Sequence, residues 1–384
     1  MEYDFIVVGA GMAGASIAYE LAKDARVCLV EREAQPGYHA TGRSAALFAP
    51  SYGGREVRAL TRASRHFFTQ PPEGFVEGHL LTPRGVLYVA RTEQLHTLDA
   101  LIDAIPASGG AIDRLDAAKA LEAVPLLRSR YVAGAASDQD AMDIDVDALH
   151  QGFLRGARGR GTFVLVDAGE AAIGRSGTLW RVDLPTGTVE APVLVNAAGA
   201  WGDQVAEACG ARPLGLQALR RTALLVDPPA GVDIDGWPAV IDIDEEFYFK
   251  PDAGKLLLSP ADETLVDACD VQPEELDIAI GVDRVQAALD LDVERINHSW
   301  AGLRTFAPDR APVIGFDPDV EGLFWSVGQG GYGIQTAPAW ARTAAALARR
   351  QHLPEDVARE GLTAGDLSPT RFRDVNSDLK KAVR

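Results

Sequence analysis

The chain has 384 residues, enough for two domains that share an ample buried core. Its formal net charge of −18 argues against nucleic acid or an anionic membrane surface as the main partner, yet allows a locally basic active site. Three scattered cysteines, Cys28, Cys209 and Cys269, show no C-x-x-C spacing; they suggest neither a disulfide framework nor a zinc site and fit a reducing cytoplasm.

Residues 3–8 (YDFIVV) form a short apolar run rich in β-branched side chains and read as a buried strand. Gly9 opens a turn, residues 12–23 continue as a helix, and residues 26–30 (RVCLV) make a second buried strand ending at Glu31. A helical crossover between two apolar strands implies that they run parallel. The stretch 5–22 lacks the basic head of a signal peptide and has Asp4 and Glu20 at its edges, so it is expected to belong to the fold. No other stretch approaches the ~18 apolar residues of a membrane span.

Further along, residues 56–68, 117–124, 146–156 and 273–289 read as helices and 86–90 as a strand. Short strands punctuated by Gly and Pro are expected over 162–195 and 218–258. Residues 322–327 (GLFWSV) form another buried strand, followed by a glycine cluster and a helix over 334–350. The charged tail after Pro354 has little apolar periodicity, and its last ten or so residues are expected to be disordered.

Gly9-Ala10-Gly11-Met12-Ala13-Gly14 is a G-x-G-x-x-G with a strand before it and a helix after it. Gly9 permits the tight turn, Gly11 lets a pyrophosphate reach the backbone, and Gly14 lets helix and strand pack closely. The helix N-terminus offers free N–H groups and a positive dipole to the phosphates. Glu31 ends the second strand, where its carboxylate can accept from ribose hydroxyls. The pattern predicts dinucleotide binding and leaves NAD and FAD both open. The fold class that follows is α/β: a discontinuous Rossmann-type cofactor domain (1–75, 140–215 and 297–375) with an inserted, sheet-rich α+β substrate domain (76–139 and 216–296).

A second glycine cluster, Gly328-Gln329-Gly330-Gly331-Tyr332-Gly333, again sits between an apolar strand and a helix. With it, Glu31-Arg32, TGRSAA at 41–46, VNAAGAW at 195–201, WAGLR at 300–304 and GGYGIQT at 330–336 occur in an order that resembles the D-amino acid oxidase family of flavoproteins. That family includes glycine and sarcosine oxidases, and the blocks ALHQGFLRG, RPLGLQ and FYFKPD are especially similar to its bacterial D-arginine dehydrogenases. The resemblance runs from residue 1 to about residue 370.

This resemblance implies FAD, held by Gly9, Gly11, Gly14, Glu31 and Arg32 at the adenosine and pyrophosphate end, with Glu170 and Ala171 flanking the adenine. Ser44, Ala45, Ala46, Gly302, Arg304, Gly331, Tyr332, Gly333, Ile334, Gln335 and Thr336 would lie near the flavin. The second glycine cluster contains no cysteine, so a non-covalent flavin is expected. An α-amino acid presents a carboxylate that suits a bidentate guanidinium, for which Arg304 and Arg221 are the candidates, with Arg220 structural. Tyr248 could donate to the same carboxylate, Tyr52 could close over the substrate, and the Gly331 carbonyl could accept from the amine. The implied activity is oxidative deamination of D-amino acids. Arginine-preferring relatives place a histidine and an acidic residue where this chain has Leu47 and Val86, so the side-chain pocket is expected to favour apolar substrates, with Glu245 or Glu246 able to restore charge.

Rival readings are a glycine- or sarcosine-type amine oxidase, a 2-hydroxy acid dehydrogenase, and a non-catalytic flavin-binding electron-transfer subunit. The resemblance favours a quinone or another carrier as electron acceptor, with oxygen as the alternative, and a cytoplasmic protein with peripheral membrane association left open. No metal is expected: Asp143, Asp145 and Asp147 have calcium-loop spacing, but Ala148 and Leu154 stand where Gly and Glu are required. These aspartates read as caps of the helix near Val146. His39, His79, His96, His150 and His298 read as surface or packed residues.

Overall fold

Phe5–Val8, Val27–Val30, Val193–Asn196 and Leu323–Val327 are apolar almost without interruption because helices and loops cover both of their faces. In the computed structural model, which describes residues 2–105, 112–184 and 186–373, they form the centre of a six-stranded sheet. Its order is Val313–Phe316, Leu323–Val327, Val193–Asn196, Phe5–Val8, Val27–Val30, Phe163–Leu165, and only the Val313–Phe316 edge is antiparallel. Helix Met12–Leu21 is buried along its whole length between helices Val146–Gly159 and Gly333–Ala348.

A nine-stranded mixed sheet makes the second layer. Strand Gln217–Val226 pairs with Thr264–Val266 and Lys255–Ser259, and along its length with the eleven-residue strand Ile296–Phe306. The sheet continues through Tyr248–Asp252, Ala239–Asp242, Val86–Ala90, Gly134–Asp138 and Ile112–Leu115. Side chains alternate across each strand, and the two faces meet different neighbours. Leu224, Val226, Leu256, Leu258, Phe249, Val240, Leu87 and Val89 share one face, packed with Val285 and Ala288 of helix Glu275–Ala288. Arg221, Ala223, Tyr248, Lys250, Ala239, Ile241, Gly302 and Arg304 share the other face, which forms one wall of a cavity.

The fold class is therefore mixed α/β, with a parallel sheet for the cradle and a mixed sheet for the cavity wall. The expected helices form at Arg55–Thr69, Ala117–Ala123, Val146–Gly159, Glu275–Ala288 and Gly333–Ala348. Strand Ile296–Phe306, at the head of the last cofactor segment read from the sequence, pairs with Gln217–Val226 in the large sheet. Asp145 caps helix Val146–Gly159 by accepting from Ala148 N–H at 2.8 Å. Asp143 serves differently, accepting from Lys250 and Arg84, both at 2.6 Å. The expectation for the last ten residues lies outside the described residues. Among those described, no helix is long and apolar enough to cross a membrane.

Candidate active site

A cavity of about 540 Å³ runs from the Gly9 turn to Tyr52 and Tyr248. At its first end Gly9 has φ +96°, and a Cβ there would stand 2.6 Å from the Ala197 carbonyl oxygen. A Cβ at Gly14 would stand 1.7 Å from the Gly9 carbonyl oxygen. Only glycine lets strand, turn and helix close together in this way. Gly11 is the helix N-cap and supplies no side-chain cap, so the first-turn N–H groups are left for other partners. The Met12 N–H donates to Thr41 Oγ1 at 2.9 Å. Glu31 braces the turn: Oε2 accepts from Ala10 N–H at 2.7 Å and Oε1 from Glu33 N–H at 3.0 Å. Lone pairs remain on both oxygens for the ribose contact read from the sequence.

Beside the cradle, the Arg32 guanidinium lies 4.7 Å and the His39 ring 4.6 Å from the Trp201 ring. The His39 Nε2 meets Glu33 Oε1 at 2.9 Å, and this contact is the main reason why the Glu33 carboxyl sits below its ordinary pKa. Glu170 and Ala171 line the same end of the cavity. Buried His39 Nδ1, Gln329 Nε2 and Gln335 Nε2 have no hydrogen-bond partner among the described residues, and all three residues border the cavity. Orphaned buried polar atoms on the border of a cavity suit a polar ligand there.

At the other end Arg221 faces Gly302 across the ladder and Leu219 faces Arg304, so the two arginines are diagonal neighbours on the cavity face. They are not equivalent. Arg221 donates from Nε to the Asp262 carbonyl at 2.8 Å and from Nη2 to Glu263 Oε1 at 3.2 Å. Arg310 holds Glu263 from its far side at 2.8 and 3.1 Å. Arg304 has no ion pair among the described residues. Burial alone would lower its pKa, but the oxygens of Tyr52, Tyr248 and Glu245 outweigh burial and raise it, so it stays charged. Arg220 pairs with Asp277 at 2.7 Å and with Glu274, on the face away from the cavity.

Tyr52 donates to Glu245 Oε2 at 3.3 Å, and its ring meets Tyr332 edge-on at 5.1 Å. Burial first, and then Glu245, push its phenol well above the ordinary range. Glu245 borders the cavity with φ +57°, whereas Glu246 is claimed by Arg91 through two bonds of 2.9 and 3.0 Å. Leu47, Ala49, Ala239 and Ile241 give the rest of this end an apolar wall.

Gly9, Gly11, Glu31, Arg32, Ser44, Ala45, Ala46, Leu47, Tyr52, Glu170, Ala171, Arg221, Tyr248, Gly302, Arg304, Gly331, Gly333, Ile334 and Gln335 all border this cavity. Four residues picked from the sequence do not. Gly14 is tucked beneath Gly9, and Tyr332 turns its ring to Tyr52 and Phe306. Thr336 donates back to the Tyr332 carbonyl at 2.8 Å. Val86, expected in the side-chain pocket, is fully buried beside Ala239, its register partner, which borders the cavity in its place. Thr41, Trp201 and Gln329 escaped selection although they stand inside or beside the quoted blocks. His150 escaped although it stands inside the ALHQGFLRG block, because a single helical histidine reads as a packed residue.

The glycine turn at the first end of the cavity suits the phosphates of a dinucleotide, and the guanidinium at the second suits a small anion. The family model for DAO, FAD dependent oxidoreductase, matches residues 4–347. The chain belongs to this family, and its cofactor is FAD. It is 25% identical over 361 residues to the uncharacterized oxidoreductase YurR of Bacillus subtilis, covering 87% of this chain and 91% of that one. Glycine oxidase of Geobacillus kaustophilus is 25% identical over 380 residues, covering 94% and 97%. A crystal structure of glycine oxidase from that organism superposes with TM-score 0.79 at 22% identity over 91% and 95% of the chains. Reduced L-α-glycerophosphate oxidase from Mycoplasma pneumoniae, with FAD bound, gives TM-score 0.80 at 16% identity over 91% and 95%.

Proposed function

We propose that the chain oxidatively deaminates D-α-amino acids: hydride leaves Cα, and water hydrolyses the resulting imine to a 2-oxo acid and ammonia. The observation that carries this reading is the half-buried guanidinium of Arg304, which has no ion pair among the described residues and borders the cavity that also holds the dinucleotide cradle. FAD, non-covalently bound, supplies the hydride acceptor.

Gly9, Gly11, Glu31 and Arg32 would hold its adenosine and diphosphate, with Ser44–Ala46 and Gly333–Gln335 nearer the ring. Arg304 binds the substrate carboxylate, with Arg221 and the Tyr248 phenol beside it. The Gly331 carbonyl accepts from the amine, and Tyr52 covers the bound substrate. The two guanidiniums disfavour a third positive charge, which lowers the pKa of the bound ammonium and eases its proton loss.

The wall of Leu47, Ala49, Ala239 and Ile241 favours an apolar side chain over that of D-arginine. Glu246 is neutralised by Arg91, whereas Glu245 borders the cavity and accepts one bond from Tyr52, so it is the carboxylate against which the apolar preference must be tested. The similarity to glycine oxidase supports an amine substrate, and the D configuration rests on the sequence resemblance of the ALHQGFLRG, RPLGLQ and FYFKPD blocks alone.

The test is the anaerobic visible spectrum of the purified protein during addition of single compounds. Bleaching of the oxidised-flavin band by D-leucine, D-methionine or D-phenylalanine, and not by their L forms, is the expected result. Faster bleaching by D-arginine overturns the side-chain preference. Bleaching only by sarcosine, glycine or a 2-hydroxy acid, or by none of these compounds, overturns the substrate class. Air admitted afterwards distinguishes oxygen from a quinone-type acceptor.

A further inference from the structure

His150 lies on helix Val146–Gly159, 3% exposed, and its Nε2 meets the Ala10 carbonyl oxygen at 2.8 Å. A carbonyl only accepts, so Nε2 carries the proton. Burial lowers the pKa of the ring, so it is neutral at physiological pH. The same ring packs on the loop leading to Ser44: Gly37 has φ +78°, and a Cβ there would stand 2.8 Å from His150 Cε1.

Both peptide units that flank Ala10 are thereby pinned. The Ala10 N–H belongs to the Gly9–Ala10 peptide and is held by Glu31 at 2.7 Å, while the Ala10 carbonyl belongs to the Ala10–Gly11 peptide and is held by His150. In a trans peptide the C=O and N–H point to opposite sides. Directing the Ala10 carbonyl at His150 therefore directs the Gly11 N–H away from it, and Gly11 borders the cavity. That N–H has no backbone or side-chain partner among the described residues.

We infer that His150 is a positioning residue for the cofactor: through the Ala10 carbonyl it sets the Gly11 N–H to receive the diphosphate of FAD. It works as a pair with Glu31, one residue gripping each side of the cradle's first turn. The bond ends on the Ala10 carbonyl in the cradle's first turn, so the effect belongs to the diphosphate and not to the ring.

The test titrates the full chain, stripped of flavin, with FAD, ADP and riboflavin, for wild type, His150→Leu and His150→Gln. Losing the donor leaves a buried carbonyl unpaired, and the Kd for FAD and for ADP should rise roughly tenfold or more in His150→Leu. Riboflavin, which lacks the diphosphate, should bind all three proteins alike. His150→Gln retains an N–H donor and should recover most of the lost affinity. An unchanged Kd for FAD and ADP in His150→Leu overturns the inference. So does equal weakening in both variants that tracks a fall in the Tm of the stripped chain, because that pattern marks a merely structural histidine.

Discussion

The backbone of Gly331 lies flat against the guanidinium of Arg304: a Cβ at Gly331 would stand 2.9 Å from each of Cζ, Nε and Nη1. The contact is anchored one residue earlier, where the Gly330 N–H donates to the Thr305 carbonyl at 2.8 Å. Gly331 has no left-handed φ, so a side chain there meets only the end of Arg304, which must shift to admit it. The second glycine cluster thus does more than turn the chain, for it supplies the surface against which the guanidinium proposed to bind the substrate rests.

Gly331→Ala should therefore move Arg304 without emptying the cofactor site. A displacement on the order of 1 Å in a positioning group can cost ~100-fold in rate. The expected outcome is a fall of that size in kcat/KM for the best amino acid, with flavin content unchanged. Loss of flavin from the purified variant would show that Gly331 serves the cofactor instead.

The two arginines should differ in how much their removal costs. Arg304 has no ion pair among the described residues, whereas two of the donor nitrogens of Arg221 are already committed to Asp262 and Glu263. Arg304→Met should lower kcat/KM by ~100- to 1000-fold, as expected when one partner of a desolvated charge pair is truncated. Arg221→Met should cost about tenfold, the scale of one buried hydrogen bond. Steady-state kinetics of both variants check this, and equal losses would mean that the carboxylate is shared symmetrically.

The cradle was legible because its signal is local. Three glycines, a strand before and a helix after occupy one short window, and each has a steric reason that holds whatever the rest of the chain does. The far wall is different in kind. Arg221 and Arg304 are brought together by a register, Leu219 opposite Arg304, between strands some eighty residues apart, and period-two alternation states which residues share a face but not which strands are neighbours. Val86 shows the same limit: it is on a strand of the cavity sheet, but Ala239 borders the space and Val86 does not. His150 acts through a backbone carbonyl 140 residues away, which no spacing rule reveals.

Glu263 ties Arg221 to Arg310, and this link should be sensitive to acid. Burial would raise its carboxyl, but Arg310, Arg221 and Arg304 outweigh burial and hold it below the ordinary value. A depressed folded pKa contributes stability that is present above the unfolded value and lost as pH falls through the folded one. The Tm advantage of wild type over Glu263→Gln should thus be full near neutrality and shrink below about pH 4. A difference that stays constant down to about pH 3 would show that the pair contributes nothing through its charge.

Leu47 and Val86 were both read as side-chain pocket residues, and the structure separates them. Leu47 borders the cavity, while Val86 is fully buried among Ala49, Tyr88, Ala239 and Ile241. Truncating Val86 to Ala removes packed methyl groups from a closed core and should cost about 1–3 kcal/mol of stability, by analogy with other buried truncations. It should leave the ranking of D-leucine, D-methionine and D-phenylalanine unchanged. Leu47→Ala removes atoms from the cavity wall instead, so its stability cost should be smaller and its effect on the ranking larger, with bulkier side chains gaining over smaller ones. Thermal melts and substrate profiles of the two variants read these effects separately. A changed profile in Val86→Ala with an unchanged one in Leu47→Ala would place the side-chain pocket on the other side of the Ala239 strand.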